Sequence, residues 1–384
     1  MTMTAPAYSL DINTPQPYRV LVGTFLLEQV GDLTRSVCAD ASHALIISDS
    51  NVAPLYAAPV SEGLKAAGFA VAIATFEAGE AHKNMQTYAG LLERCAQEEL
   101  TRSDVIIALG GGVVGDMAGF VAASYMRGIP FIQVPTTLLA MVDSSVGGKT
   151  AVDLAHGKNL AGAFWQPRLV IADIGCLGTL SDAQFAEGCG EVVKHAMIAD
   201  ADLFDELERT PLTLELVKTD LARAAWLITR NIDIKRAVVV EDEKEAGLRK
   251  LLNFGHTIGH GVEAAEDFQL GHGACVAIGM VAIASASVTA GVCPDELPER
   301  LASLLKAHGL NLVFNASDEK IFEAALHDKK RKGDVIDLVV PRSIGAASLA
   351  PTPLEEFRRI LEVGLACTKA LAQEPTPTKE ETTC

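Results

Sequence analysis

The chain has 384 residues, of which 49% are hydrophobic and 21% charged, with a formal net charge of −17. That length exceeds one ordinary domain, so two are expected, and the apolar fraction is enough for a large globular core. The acidic balance argues against general binding to nucleic acid or anionic membranes, yet leaves room for a local basic pocket facing a small anion.

In chain order, residues 18–31 open with Tyr-Arg-Val-Leu-Val-Gly, a short strand and turn, and residues 44–49 form a buried strand ending in polar residues. A helix is expected over 60–67, a strand over 70–76 and a helix over 85–98. Apolar strands follow at 104–109, 131–135 and 169–173, with a small-residue helix over 114–124 after the first of these. Strands alternating with helices imply a parallel sheet covered on both faces. From Ser181 to Lys306 nearly everything reads as helical, with segments over 185–199, 201–208, 214–240, 255–266 and 276–289. A β-like piece returns at 335–340, and the Pro-, Thr- and Glu-rich tail over 373–384 reads as disordered. The expected architecture is thus α/β: a Rossmann-like parallel-sheet domain over 1–178, a mostly α-helical domain over 179–362, and a C-terminal extension over 363–384.

The eight cysteines are scattered without a C-x-x-C pair, as buried thiols in a reducing compartment would be. The N-terminus lacks the basic and apolar blocks of a secretory signal, so a cytoplasmic location is expected. The uncharged run from Gly273 to Pro294 is rich in Ala, Gly, Ser and Thr, and is read as a fully buried helix, not a membrane span.

Gly110-Gly111-Gly112-Val113-Val114-Gly115 satisfies G-x-G-x-x-G, follows a strand and opens a helix. Such glycines let backbone N–H groups approach a pyrophosphate at the helix N-terminus. The alternative is a glycine turn packed on its own helix. The acidic residue usual about twenty positions later is missing; Asp49 offers a carboxylate for ribose elsewhere. Gly148-Lys149-Thr150 resembles the end of a P-loop, but Asp143 stands where the first glycine belongs, which excludes that motif.

His256 and His260 lie one helical turn apart, and His272 follows after a short polar break. Neutral imidazoles at that spacing suit Zn²⁺ or a similar divalent ion. Thr257 occupies the place of the general-base Glu in H-E-x-x-H, so protease chemistry is not implied. A helix carrying two hydrogen-bonded or surface histidines explains the spacing as well. Glu191 and Lys194 share a helix face at i,i+3; a plain salt bridge accounts for them, or Glu191 completes a three-ligand site with an open position. Arg127, Lys149, Lys158, Lys194, Lys235, Arg249 and the Lys329-Lys330 pair stand in polar, Gly-rich or helical segments, a hint of a multiply anionic small substrate.

The segments 110–118, 127–128, 133–138, 142–152, 157–167, 187–194, 252–263 and 272–280 together resemble, in order, the 3-dehydroquinate synthases of the sugar-phosphate cyclase family, and the likeness extends over about residues 18–362. The resemblance implies an N-terminal NAD-binding domain, a helical metal-binding domain, an active site between them, and a homodimer. It implies conversion of a phosphorylated seven-carbon keto acid, 3-deoxy-D-arabino-heptulosonate 7-phosphate, to 3-dehydroquinate and phosphate in the shikimate pathway, by transient NAD-dependent oxidation, phosphate elimination, reduction and aldol closure. By the same resemblance Glu191, His256 and His272 hold Zn²⁺ or Co²⁺. Asp49, Asn51, Glu80, Lys83, Gly110, Gly111, Gly112, Val113, Asp116, Thr136, Thr137, Asp143 and Lys158 line the NAD site. Lys149, Asn159, Lys194, Lys235, Arg249, Asn253, His260 and one of Lys329 or Lys330 meet substrate, Asp143 lies near it, and Arg127 reaches the substrate phosphate from the neighbouring subunit. Asp153, Trp165 and Ala274 depart from the residues common in the family. The rivals are another cyclase acting on a different sugar phosphate, a metal-dependent alcohol dehydrogenase of the glycerol-dehydrogenase type, and a catalytically dead scaffold.

Overall fold

The computed structural model describes residues 7–326 and 331–373, which form two units. The first comprises the chain up to Leu180 together with Leu214–Lys244; the second comprises Ser181–Thr213 and the chain from Glu245 onward.

The first unit opens with β1 (Tyr8–Ile12), β2 (Tyr18–Gly23), α1 (Val30–Val37), β3 (His43–Asp49), α2 (Ala53–Ala66), β4 (Ala70–Phe76), α3 (Met85–Gln97), β5 (Val105–Gly110) and α4 (Gly112–Ser124). It continues through β6 (Phe131–Pro135), β7 (Lys149–Leu154), β8 (Gly157–Phe164) and β9 (Leu169–Asp173). The chain then enters the second unit as α5 (Asp182–Ala199) and α6 (Ala201–Arg209), returns to the first as α7 (Leu214–Thr219) and α8 (Leu221–Glu241), and leaves it again. The second unit is completed by α9 (His256–Ala265), α10 (His272–Thr289), α11 (Leu297–Ala307), α12 (Asp318–Ala325), β10 (Arg331–Lys332), β11 (Val335–Ser343), β12 (Ala346–Pro353) and α13 (Leu354–Gln373).

Seven strands of the first unit form one sheet in the order β1-β2-β9-β6-β5-β3-β4, parallel except for the β1–β2 pair. Every residue of β5, β6 and β9 is buried, as expected of central strands covered on both faces. From β3 the chain steps outward to β4 and then crosses to β5 on the other side. This reversal is a topological switch point, where ligands of open α/β sheets bind at the carboxyl ends of the strands. Asp49 ends β3 and Gly110 ends β5, on either side of it.

Several elements differ from the sequence expectations. The helix expected from Val60 begins at Ala53 and runs through Pro59, because Ala57, Val60, Ser61 and Leu64 bury one continuous face. The hairpin of β7 and β8 and the edge strand β1 were not anticipated; the hairpin is rich in Gly, Ala and polar residues and lacks a run of β-branched side chains. The helix expected over 214–240 is two, α7 and α8, separated at Asp220, whose side chain caps α8, and both belong to the first unit instead of the helical half. The extension beyond 363 is helical to Gln373 as part of α13; the expected disorder further on, and Lys329 and Lys330, lie outside the described residues.

In the second unit, α10 packs with α5, α9, α11 and α13 and is 78% buried. Its apolar composition on all sides is that of a central core helix. Each Val, Ile or Met side chain it buries contributes about 1.5–3 kcal/mol.

A candidate metal and nucleotide site

Glycine contacts set the geometry of the histidines. Gly255 caps α9 with φ +78°, and a Cβ there would lie 2.4 Å from Met280 Cγ and 2.7 Å from the Val276 carbonyl oxygen. A Cβ on Gly279 would lie 2.0 Å from the Gly255 carbonyl oxygen, and one on Gly259 2.9 Å from that of Cys275. The backbones of α9 and α10 therefore meet directly, and no larger residue fits at these points. The contact brings His256, His260 and His272 together, with ring centroids 5.4 to 5.8 Å apart.

Glu191 arrives from α5 and is 1% exposed. Lys194 Nζ donates to its Oε2, while Oε1 is buried without a hydrogen-bond partner among the described residues. His256 Nε2 is 3.6 Å and His272 Nε2 4.0 Å from that same Oε1. His256 Nδ1 lies 3.1 Å from the Phe254 carbonyl oxygen, which orients its other nitrogen toward Glu191. One ligand atom from each of Glu191, His256 and His272 falls within 4.8 Å of the others. A buried carboxylate oxygen left unsatisfied among imidazole nitrogens is a strong cost without a cation, and one carboxylate with two imidazoles suits Zn²⁺ or Co²⁺. Burial lowers the pKa of His272, but the Glu263 hydrogen bond and the charges of Glu191, Glu263 and Glu187 outweigh it, so its pKa is raised. The surroundings are arranged to hold positive charge.

Glu187, one turn before Glu191, accepts the Gly273 backbone N–H at 2.5 Å and so caps the start of α10 beside His272. A Cβ on Gly271 would strike its carboxylate. Burial pushes the Glu187 carboxyl above its ordinary range, against the opposing pull of the Gly273 N–H and His272. Asn253 Nδ2 donates to Glu245 Oε1 at 2.8 Å, and Arg249 is 1% exposed. Ala274 stands in the first turn of α10.

In the first unit the glycine turn sits at the switch point. Gly111 is the N-cap of α4 and, having no side chain, makes no side-chain cap there. A Cβ on Gly110 would lie 2.5 Å from Val114 Cγ2, and one on Gly115 2.8 Å from Gln133 Oε1, so both glycines serve close packing as well. Thr136 and Thr137 follow β6, and Thr136 Oγ1 is buried without a hydrogen-bond partner among the described residues. Asp49 Oδ1 accepts the N–H groups of Asn51 and Val52 at 2.9 Å each, closing the turn after β3. An uncapped helix N-terminus, a glycine cradle and an unsatisfied hydroxyl fit a dinucleotide.

Lys83, 4% exposed, donates to Asp116 Oδ2 and Asn159 Oδ1 at 2.6 Å each, and Glu80 Oε1 lies 3.9 Å away. Burial pulls the Lys83 amine down, and the charges of Asp116 and Glu80 outweigh it, so its pKa is raised. Asp153 accepts the Asn159 N–H at 2.7 Å and ties the tip of the β7–β8 hairpin to this cluster. Lys158, beside Asn159, contributes to the field at Glu80. Lys235, from α8, donates to Asp143 Oδ1 at 2.7 Å, joining two residues expected near substrate.

Lys149 opens β7 in register with Phe164 and is exposed. Beside it the Gly147 N–H donates to Tyr18 Oη at 3.0 Å and the Gly148 carbonyl accepts the Trp165 N–H at 2.7 Å. The turn is pinned. Arg127 is exposed at φ +67°, between Met126 at +48° and Gly128 at +120°. A Cβ on Gly128 would lie 2.4 Å from the Trp165 indole, whose Nε1–H donates to the Ile129 carbonyl at 3.0 Å. Glu187 and Glu263 were missed in the sequence; the E-x-x-x-E spacing of 187 and 191 and the H-x-x-E spacing of 260 and 263 were the available signals.

Residues 73–187 match the 3-dehydroquinate synthase N-terminal family model and residues 188–331 the 3-dehydroquinate synthase C-terminal model. The chain is 42% identical to 3-dehydroquinate synthase of Streptococcus gordonii over 356 residues, covering 92% of this chain and 99% of the relative. The chain belongs to the 3-dehydroquinate synthase family. The 3-dehydroquinate synthase of Enterococcus faecalis is 42% identical over 363 residues, 94% of this chain and 98% of its own. Among solved structures, 2-deoxy-scyllo-inosose synthase with carbaglucose-6-phosphate, NAD⁺ and Co²⁺ has a TM-score of 0.82 at 28% identity, covering 92% of this chain and 99% of that one. The 2-epi-5-epi-valiolone synthase of Streptomyces hygroscopicus with NAD⁺ and Zn²⁺ has a TM-score of 0.82 at 26%, covering 92% and 97%. The 3-dehydroquinate synthase family thus shares its fold with other cyclases, and glycerol dehydrogenase of Schizosaccharomyces pombe, at 18% identity and a TM-score of 0.61, shares the fold alone.

Proposed function

We propose that the protein is a 3-dehydroquinate synthase, a lyase of the shikimate pathway that converts 3-deoxy-D-arabino-heptulosonate 7-phosphate to 3-dehydroquinate and phosphate. The observation that carries this reading is 42% identity to 3-dehydroquinate synthases across 92% of the chain, against 26–28% to cyclases with other products. The first unit is proposed to bind NAD at the Gly110–Val113 turn, with Asp49, Asn51, Thr136, Thr137 and the Glu80–Lys83–Asp116 cluster around it. The second is proposed to hold one divalent metal on Glu191, His256 and His272. When bound, NAD supplies a transient hydride acceptor and the metal a Lewis acid for substrate hydroxyls.

The chain's own groups then bind, orient and move protons. Lys194 engages one oxygen of Glu191 and leaves the other toward the imidazoles. His260, whose ring lies beside His256 and His272, is assigned to proton transfer. Lys149, Asn159, Lys235, Arg249, Asn253 and one of Lys329 or Lys330 are assigned to the substrate's anionic and hydroxyl groups, with Asp143 beside them. Cations aimed at a leaving phosphate stabilise charge that grows as the C–O bond breaks.

We further infer a homodimer in which Arg127 reaches substrate in the partner subunit; its exposed, pinned turn is consistent with presentation to another chain. A cytoplasmic location fits the described cysteines, all seven of which are free thiols.

The test is incubation of the protein with the heptulosonate phosphate, NAD and Zn²⁺, following products by chromatography. 3-Dehydroquinate and phosphate in equal amounts are expected. Cyclisation of another sugar phosphate at a higher kcat/KM would assign the chain to a different cyclase.

A further inference from the structure

We propose that Glu263 is a positioning residue for the metal site: its carboxylate fixes the His272 ring so that Nε2 faces Glu191. This rests on the reading that Glu191, His256 and His272 hold a divalent metal. Glu263 lies on α9 and is 6% exposed. Its Oε2 is 3.5 Å from His272 Nδ1, on the opposite side of the ring from Nε2, which is 4.0 Å from Glu191 Oε1. His256 shows the same arrangement, with Nδ1 3.1 Å from the Phe254 carbonyl oxygen and Nε2 3.6 Å from Glu191 Oε1. Both imidazoles therefore have one nitrogen beside an acceptor and direct the other to the same carboxylate oxygen. An acceptor at Nδ1 selects the tautomer with the proton there, leaving the Nε2 lone pair for a metal, and a carboxylate acceptor also makes the imidazole a stronger ligand.

Glu263 is held to this task by the backbone. A Cβ on Gly259 would lie 2.9 Å from the Cys275 carbonyl oxygen, so the backbones of α9 and α10 that carry Glu263 and His272 are held close together. Glu187 fixes the other end of the same residue, through the Gly273 N–H that follows His272. His260, Glu263 and His272 also place ligand atoms within 4.8 Å of one another, so direct coordination of a second ion by Glu263 is the competing arrangement.

The experiment uses full-length wild type, Glu263→Ala and Glu263→Gln, stripped of metal and titrated with Zn²⁺ against a chromophoric chelator, and with Co²⁺ followed by its visible absorption. One ion per chain is expected in all three. Loss of an outer hydrogen-bond partner typically weakens a metal site by about 10–100-fold, so Glu263→Ala should fall in that range with a changed Co²⁺ spectrum. Glu263→Gln, which keeps an acceptor oxygen without charge, should lie between it and wild type. Should the alanine variant fail to fold, the near-isosteric glutamine variant decides alone. A folded variant with wild-type affinity and spectrum would overturn the positioning role. Two ions in wild type and one in Glu263→Ala would overturn it in favour of direct ligation. A wild type that binds neither ion would remove both the metal reading and this role.

Discussion

Lys235 Nζ lies 2.7 Å from Asp143 Oδ1, so helix α8 is anchored to the short helical turn that follows β6. The pair is one of several contacts, with those to β1 and β2, that place in the sheet-containing first unit a helix that follows two helices of the second unit in sequence. Lys235 is 5% exposed and the Asp143 side chain 25%. Replacing Lys235 with Met removes the cation paired with this half-buried carboxylate, which should cost about 2–3 kcal/mol. Removing both charges with Lys235→Met and Asp143→Leu should restore part of that loss. Urea unfolding of the ligand-free proteins checks this, and a Lys235→Met chain as stable as wild type would dissolve the anchor.

Asp104 makes a separate, structural prediction about acid. Burial alone would raise its pKa, but N–H groups of Thr101, His43 and Ser42 and the Thr101 hydroxyl donate to it and lower it to about 2. Because the folded value lies below the unfolded one, its contribution is full above about pH 4 and is lost as pH falls through about 2. Discounted for solvent screening near the surface, that contribution is about 1–2 kcal/mol. Asp104→Asn should lower stability at neutral pH and flatten the loss between pH 4 and 2. An unchanged acid limb in the variant would show that other carboxylates govern it.

Gly255→Ala should damage both the fold and the metal site. The left-handed φ and the contacts with Met280 and Val276 leave no room for a methyl group. Strain and overpacking together should cost about 2–4 kcal/mol. Zinc per chain should fall along with the melting temperature, because the same contact sets His256 against His272. Full zinc content at a lowered melting temperature would separate the packing from the ligands.

Lys149→Ala should depress turnover by about 10²–10³-fold, the effect of losing roughly 3–4 kcal/mol of preorganised charge stabilisation, while NAD and Zn²⁺ binding persist. Pinning of the glycine turn by Tyr18 and Trp165 makes Lys149 a fixed group, not one carried by a mobile loop. Tyr18→Phe, which removes that hydrogen bond, should therefore lower turnover several-fold by itself. Near-wild-type rates in Lys149→Ala at saturating substrate would take this residue out of the site.

The parallel sheet was legible in the sequence because β3, β5, β6 and β9 are short apolar runs, and the glycine turn because it sits between one such run and a helix. His256, His260 and His272 were legible as a cluster through spacing, and Glu191 as their partner as one of two readings, beside a plain salt bridge to Lys194, until the series of motifs was taken together. The β7–β8 hairpin was not, since Lys149–Phe164 carries little of the β-branched alternation that marks a strand. The place of α8 was not legible either: helical periodicity fixes an element's type, whereas its unit depends on tertiary partners in the first unit, among them β1, β2 and the ion pair to Asp143. Glu263 escaped notice because an acidic residue one turn after a histidine is common on any helix, and only the backbone contact of α9 with α10 brings it to His272.

The most direct measurement is the stoichiometry of NAD in the reaction. With the heptulosonate phosphate in large excess over NAD, phosphate should be released far beyond the NAD supplied, with no steady rise in NADH absorbance, because a hydride taken early is returned before product leaves. NADH rising in step with substrate consumed, with phosphate retained on the product, would contradict a cyclase and make the protein a dehydrogenase.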